Sequence, residues 1–341
     1  MSVGLLVRKK GGGPEKCLTG LGDGPRLAYI DLIMANNASH DHHFTPVFYL
    51  KNWIVAPEQK LIEYRRRGDG IIRPRWTGPK GTGYDKDIYA AADASVASLE
   101  ESFMAPADTH AAAAMAVFFS PGKELKWTRK ERSSWSRFIM SMLMRHPDDI
   151  AELRKLVDDD WTNLTDEMRE QYHQRWQEGM PEKPEDWWEQ NRETYREAAR
   201  LQWLQGMIDN EGIGSRLNAM SWNVANVGKG KHKLLTSDRP ICMTKSLDEL
   251  DAFVMMPLSP SKVFIGVRRM ETLAKIQELT TDELVAEVNL EVVQNARRFV
   301  FAADTSQDRF VLNHFGRSNQ PTWMMRLAEK RARDRARRSV A

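Results

Sequence analysis

Apolar positions change their spacing several times along the chain, and each change predicts a different element. After Thr45 and Pro46, Val47, Leu50 and Ile54 recur at helical spacing with Phe48 and Tyr49 beside them. Thr45 is placed to cap this helix and Pro46 to sit in its first turn, where a missing N–H costs nothing. The runs "KLIEYRRR" and "GIIRPRWT" have strand character and are joined through "GDG", which predicts a hairpin. "GPKGTGYDKDIYA" follows as a glycine-rich loop without the order of a phosphate cradle. From about 94 to 119 the pattern turns helical, reinforced by the alanines at 111 to 114. A second long helix is expected from Thr128, which precedes Glu131 at capping-box spacing and leads through "SSWSRFIMSMLMRH" to a stop or bend at Pro147.

Residues 148 to 222 read as helix-rich and charged, divided by "GMPEKPED", and carry Trp161, Trp176, Trp187, Trp188, Trp203 and Trp222. Tryptophan at this density has a large apolar surface to bury, so packing is the first expectation, and a protein partner at these helices the second. Farther on, "KHKLLTSDRPICM", "AFVMMPLSPSKVFIGV" and "RRFVFAAD" read as strands. "TTDELVAEVNLEVVQNA" reads as a helix, with Thr281 ahead of Leu284, Val288 and Val292, and Leu290 and Ala296 on a neighbouring row. The expected fold class is α+β: a short N-terminal β element, a helix-rich middle and a C-terminal β-rich segment in one large domain. The expected boundaries are a disordered extension over 1–36, the domain over 37–322 with a helical tryptophan-rich insertion at about 158–206, and a basic helical tail over 323–341. Met34 could instead mark the native start, leaving 1–33 as upstream sequence.

Composition narrows the function classes. At 341 residues, 41% hydrophobic and 28% charged, the chain has the make-up of an ordinary water-soluble protein with a substantial core. It holds no apolar run of about 18 residues, so no membrane partnership is expected. Cys17 and Cys242 form no CxxC pair, and the basic start "VRKKGGGPEK" precedes no apolar stretch. A disulfide framework, a zinc-thiolate site and a secretory signal are therefore not expected, which favours the cytoplasm. The net charge of +3 does not argue for nucleic acid by itself. Residues 326–338, "RLAEKRARDRARR", do concentrate seven Arg or Lys against Glu329 and Asp334. That segment could hold phosphates, or be a solvated terminal helix.

Three groups of residues could carry chemistry. His40, His42 and His43 flank Asp41 just before the first helix; imidazoles suit a transition metal or general-base work. Adjacent His42 and His43 point in different directions, so they are not expected to share one ion. The alternative is one histidine bonding the first helical turn with the others as a solvated polar lead-in. Glu101 and Asp108 lie seven apart, close to two helical turns and hence one face, where they could bind a divalent cation or pair with arginines. Asp238 in "TSDRP" sits at a strand end, as an Asx-turn residue or a side chain aimed into a cleft. Arg145 in "RHP" closes a helix and could bind an anion, or pair with Asp238 or Glu101.

In order along the chain, these segments resemble a mainly bacterial family, domain of unknown function 4238. "HHFTPVFYLKNW" is similar to its opening H-x-x-P-x-F-Y-L-x-x-F motif, which puts His43 at the family histidine and Trp53 where phenylalanine is usual. "YDKDIY", "LEESF" with "PADT", "RHP", "TSDRPI", "MPLSPSKVFIGV" and "QNARRFVFA" resemble later motifs; asparagine is common at the position of Arg239. The resemblance spans about 40–303 and implies no established reaction. It favours His43 among the histidines and groups it with the two helical acids. The working expectation is a cleft in which His43, Glu101, Asp108 and Asp238 hold a divalent metal ion, His43 activates water and Arg145 stabilises phosphate charge. The protein would then be a metal-dependent phosphodiester hydrolase whose basic tail holds nucleic acid. The rival is a non-catalytic interaction or sensor protein of bacterial defence or stress, in which His43, Arg145 and Asp238 form a structural network.

Overall fold

A computed structural model of the protein describes residues 41–66, 68, 70–88, 99–120, 126–160, 164, 166–244 and 246–338. The expected N-terminal extension, His40, Cys17, Trp161, Tyr89 and the helix start near 94 lie outside these residues, as does the side chain of Glu101.

The first described strand, β1 (Asp41–His43), leads into one α turn, α1 (Val47–Leu50), and a 3-10 turn over Lys51–Trp53. Pro46, not Thr45, is the N-cap, because its φ of −62° is joined to an extended ψ of 142°. A single α turn followed by a tighter one also shifts the buried face from Val47, Leu50 and Ile54 to Tyr49, Leu50 and Trp53. The Tyr49 hydroxyl donates to Pro257 O at 2.7 Å and lies 2.6 Å from Thr236 Oγ1, pinning α1 to the C-terminal half. His42 is 1% exposed, so it is a buried residue of β1 and not a solvated lead-in.

The expected hairpin is present. Strands β2 (Leu61–Arg66) and β3 (Ile72–Thr77) pair antiparallel from Leu61–Thr77 to Arg66–Ile72. Strand β4 (Tyr84–Lys86) returns to β1, setting His42 opposite Asp85 and His43 opposite Tyr84. Gly83 makes that return with φ +69°, and Thr45 N–H donates to its carbonyl at 2.9 Å.

The helical middle starts with a π turn at Glu100–Met104, which runs into α2 (Ala105–Phe119). The hub is α3 (Arg129–Met144), opened by the expected Thr128–Glu131 capping box. Its buried residues, from Ser134 to Met144, cover nearly every face. The serines in this run let neighbouring helices approach; Ser134 donates locally to Lys130 O and Ser141 to Phe138 O, while Ser136 donates to Asn218 Oδ1 at 2.8 Å. The helix stops at Arg145, and α4 (Pro147–Asp160) starts at the proline, as expected. After α5 (Asp166–Arg175), α6 (Pro184–Ile208) and α7 (Glu211–Ala219), the chain enters β5 (Ser221–Asn226), so Trp222 belongs to a strand.

"KHKLLTSDRPICM" yields two short strands in different sheets, β6 (Thr236–Ser237) and β7 (Cys242–Met243), divided by Pro240. Strands β8 (Phe253–Ser259) and β9 (Lys262–Val267) form a hairpin, followed by α8 (Met270–Gln277). The next helix, α9 (Thr281–Asn295), is capped by Thr280 with Glu283, one residue earlier than expected. Strand β10 (Phe299–Ala302), α10 (Asp308–His314) and α11 (Trp323–Arg338) complete the chain. The sheets are β1-β4, β3-β2-β10-β6 and β5-β9-β8-β7, antiparallel throughout.

One large apolar cluster joins Trp53 of the N-terminal part, Trp135 and Phe138 of α3, and Phe264 and Phe301 of the strands. Burying an aromatic side chain of this size contributes roughly 4–6 kcal/mol, at about 25 cal/mol per Å² over about 150–250 Å². The same cluster takes in Met324 and Leu327, which dock the apolar side of α11 on α4 and α3. Two of its arginines face the protein: Arg331 lies 3.8 Å above the Trp203 ring, and Arg326 donates to Pro321 O. Trp188 is buried, and Trp222 carries Arg132 over its ring at 3.9 Å. Among the described tryptophans of the 148–222 stretch, only Trp176 is exposed, at 45%. No described helix is long and apolar enough to cross a membrane. Cys242 is buried and unpaired.

Candidate functional site

The bend between α3 and α4 sends two consecutive side chains to different partners. Arg145, at the C-cap of α3, is 1% exposed and turns toward α2 and β1. Its guanidinium donates to both oxygens of Asp108, Nη1 to Oδ1 at 2.8 Å and Nη2 to Oδ2 at 3.1 Å. Nη2 also donates to the main-chain carbonyl of His43 at 2.8 Å. This fork is the strong, oriented form of an ion pair, and it fastens the helical layer to β1.

His146 turns to the other side. The Asp148 N–H donates to its Nδ1 at 3.2 Å, which assigns the ring proton to Nε2. Nε2 faces Asp238 Oδ2 at 3.2 Å, and the Phe44 ring meets the imidazole edge-on at 5.1 Å.

Asp238 lies at the end of β6, as expected, but its carboxylate is turned into the protein. Oδ1 accepts from Arg297 N at 3.0 Å; Oδ2 accepts from Arg298 N at 2.6 Å and Phe299 N at 3.1 Å. Its own N–H donates to Phe299 O at 3.1 Å. Burial raises the acid's pKa, but the hydrogen bond from His146, with the N–H groups of Arg297 and Arg298, outweighs it and holds the pKa below the ordinary value. The carboxylate thus closes the turn between α9 and β10.

His43 points toward Tyr84, with ring centroids 5.4 Å apart. Burial is the largest influence on its ring and, helped by the nearby Arg145 charge, lowers the pKa. A hydrogen bond to the Lys80 backbone and the charges of Asp41 and Asp108 oppose this. The imidazole is therefore neutral at pH 7. Its Nε2 is buried without a hydrogen-bond partner.

The expected residues are therefore divided between two contacts. Arg145 pairs with Asp108 and not with Asp238; the acid of Asp238 belongs to His146. Glu101 falls in the π turn, where about one extra residue per turn removes the simple two-turn relation to Asp108. A divalent ion needs carboxylate lone pairs turned toward one point. Those of Asp108 are in the Arg145 fork and those of Asp238 on three backbone N–H groups, so both carboxylates already have partners. Among the described residues, no group of three His, Cys, Asp or Glu side chains could hold one.

His146, the middle residue of "RHP", has no role in the sequence-based expectation. A histidine directly before a helix-opening proline is held at a fixed bend, and that was the available signal. Three further buried acids carry no sequence motif; one, Glu197 on α6, accepts from Arg200 Nη1. Glu63 on β2 accepts from Arg75 Nε at 2.9 Å, Arg75 Nη2 at 3.1 Å and Thr82. Asp149, in the first turn of α4, lies 2.6 Å from Arg239 Nη2 as an ion-pair contact without hydrogen-bond alignment.

No curated protein and no solved structure matches the chain. The model of one family, described as "Protein of unknown function (DUF4238)", matches residues 41–306. That span contains both contacts, from β1 through Asp108, Arg145 and His146 to Asp238 and the turn it closes. The chain, matched over well more than half its length, belongs to the DUF4238 family.

Proposed function

We propose that this protein works by binding, as an interaction or sensor component, and that its His/Asp/Arg network is the clamp that joins its helical and β layers. The observation that carries this reading is the use already made of both carboxylates. Asp108 meets a guanidinium that is 1% exposed, and Asp238 meets three main-chain N–H groups and His146. A hydrolytic site needs acids free to hold an ion or to take a proton from water. His43 fits the clamp through its main-chain carbonyl, while its ring stays neutral beside Arg145.

The test is metal analysis of the purified full chain together with a nuclease screen of wild type and His43→Ala. The reading expects no stoichiometric metal and no His43-dependent cleavage of DNA or RNA. Divalent-ion-dependent cleavage that disappears in a normally folded His43→Ala protein would overturn it in favour of a hydrolase.

A further inference from the structure

A half-open cavity of about 560 Å³ lies where α3, the β6–β7 segment, α9 and the start of α11 meet. That volume is in the range of small-molecule sites, about 300–1,000 Å³. Met142, Leu143, Ile241 and Trp323 give it apolar wall. Three arginines line it from three separate parts of the chain: Arg239, Arg297 and Arg326. Glu287 and Glu291 of α9 also line it.

The buried clamp sets two of these arginines. Arg239 follows Asp238 directly, and its N–H donates to Ser237 Oγ at 3.1 Å. Arg297 sits on the turn whose N–H groups the Asp238 carboxylate gathers. Arg326 is fixed from the C-terminal helix by its bond to Pro321 O at 3.1 Å.

Their charges are unevenly matched. Arg239 is 13% exposed and faces Asp149. Among the described residues, neither Arg297 nor Arg326 has a carboxylate within ion-pair distance, and burial lowers the pKa of Arg326. Glu287 and Glu291 share the lining, but a partly dry arginine with no carboxylate bonded to it still bears a desolvation cost, which an oxyanion bonded to Arg297 and Arg326 offsets. Forked N–H donors suit phosphate, sulfonate and carboxylate oxygens alike.

We propose that this cavity binds a small amphipathic anion, with its oxyanion head on Arg297 and Arg326, beside the Asp149-paired Arg239, and a ring-sized apolar body against Met142, Leu143 and Trp323. Glu287 and Glu291 accept hydrogen bonds from N–H or O–H groups on that body. This deepens the binding reading above and rests on it, by naming a ligand class and the arginines that the clamp orients.

The test uses two fluorescent probes on the full chain. One is 8-anilinonaphthalene-1-sulfonate, and the other is N-phenyl-1-naphthylamine, which has the same rings and no sulfonate. Wild type is compared with Arg297→Gln/Arg326→Gln, with circular dichroism to verify folding and Arg326→Gln alone as the second variant should the double variant not fold. The expected result is one sulfonate-probe site in wild type, weakened roughly tenfold or more in the double variant and severalfold in the single, on the scale of lost charge-assisted bonds. Affinity for the uncharged probe stays the same in all three proteins. Equal sulfonate-probe affinity in wild type and folded variants, or no binding by wild type, would overturn the proposal. Neither variant touches His43, so this outcome is separable from that of the nuclease screen.

Discussion

His146 Nε2 lies 3.2 Å from Asp238 Oδ2, and each residue is 1% exposed, so the bend between two helices is joined to a strand end in a nearly dry place. The same carboxylate collects the N–H groups of Arg297, Arg298 and Phe299. Asp238→Asn keeps the shape but loses the charge and turns an amide donor toward other donors. The expected loss in unfolding free energy is about 2–4 kcal/mol, measured by urea denaturation. A change under about 0.5 kcal/mol would contradict the anchoring role.

The Arg145–Asp108 fork gives a second prediction. Arg145→Met leaves Asp108, whose side chain is 18% exposed, without its partner, for an expected cost of about 2–4 kcal/mol. Arg145→Lys keeps the charge but cannot make the fork and also reach the His43 carbonyl; its expected cost is about 1–2 kcal/mol. A double-mutant cycle with Asp108→Ala should return a coupling on the order of 1–3 kcal/mol.

Gly83 is a third point of sensitivity. With φ at +69°, a Cβ there would lie 2.9 Å from Thr45 Cβ and 3.0 Å from Thr45 O. Thr45 cannot withdraw without breaking its own bond to Gly83 O. Gly83→Ala should cost at least about 1 kcal/mol and raise amide exchange in β1 and β4.

Acid should weaken the protein in two stages. His43 has its folded pKa below the ordinary 6.5, so the unfolded chain binds the extra proton and stability falls as pH drops from about 6.5 toward the lowered value. Asp238 has its folded pKa below 3.8; its contribution is complete above that pH and is lost as pH falls through the folded value. Denaturation midpoints from pH 8 down to about pH 1.5 should show both stages. His43→Gln should remove the upper one and Asp238→Asn the lower.

Local pattern carried the parts of the fold that local physics decides. The Thr128–Glu131 box, the β2–β3 hairpin and the break at Pro147 could all be read from neighbouring residues. The helix over 281–295 was legible from its apolar row, though its cap moved to Thr280. Pairing between distant segments was not legible. Nothing near Phe301 says that it will face Glu63 on one side and Thr236 on the other.

The candidate site shows the same division. Arg145, Asp108 and Asp238 were recognisable as residues with work to do, because polar side chains beside breaks in apolar runs are seldom idle. Which acid met which base depended on where α2 and β6 came to rest, and His146 gained its role only from that arrangement. The π turn at Glu100–Met104 is not legible in the sequence, since a helix of altered pitch has the same apolar signature over so few residues.

The β3-β2-β10-β6 sheet ends in two strands that are poor templates for another. On one side, β3 carries Pro74, which lacks an N–H, between the exposed Arg73 and Arg75; on the other, β6 is two residues long. Main-chain zipping of a second polypeptide onto this sheet is therefore disfavoured, and so is edge-to-edge fibre growth. A partner arriving here would meet the exposed Trp76 and the arginine forks first. Recognition on this side would then depend on the identity of side chains, and a chance β-strand would gain little by approaching.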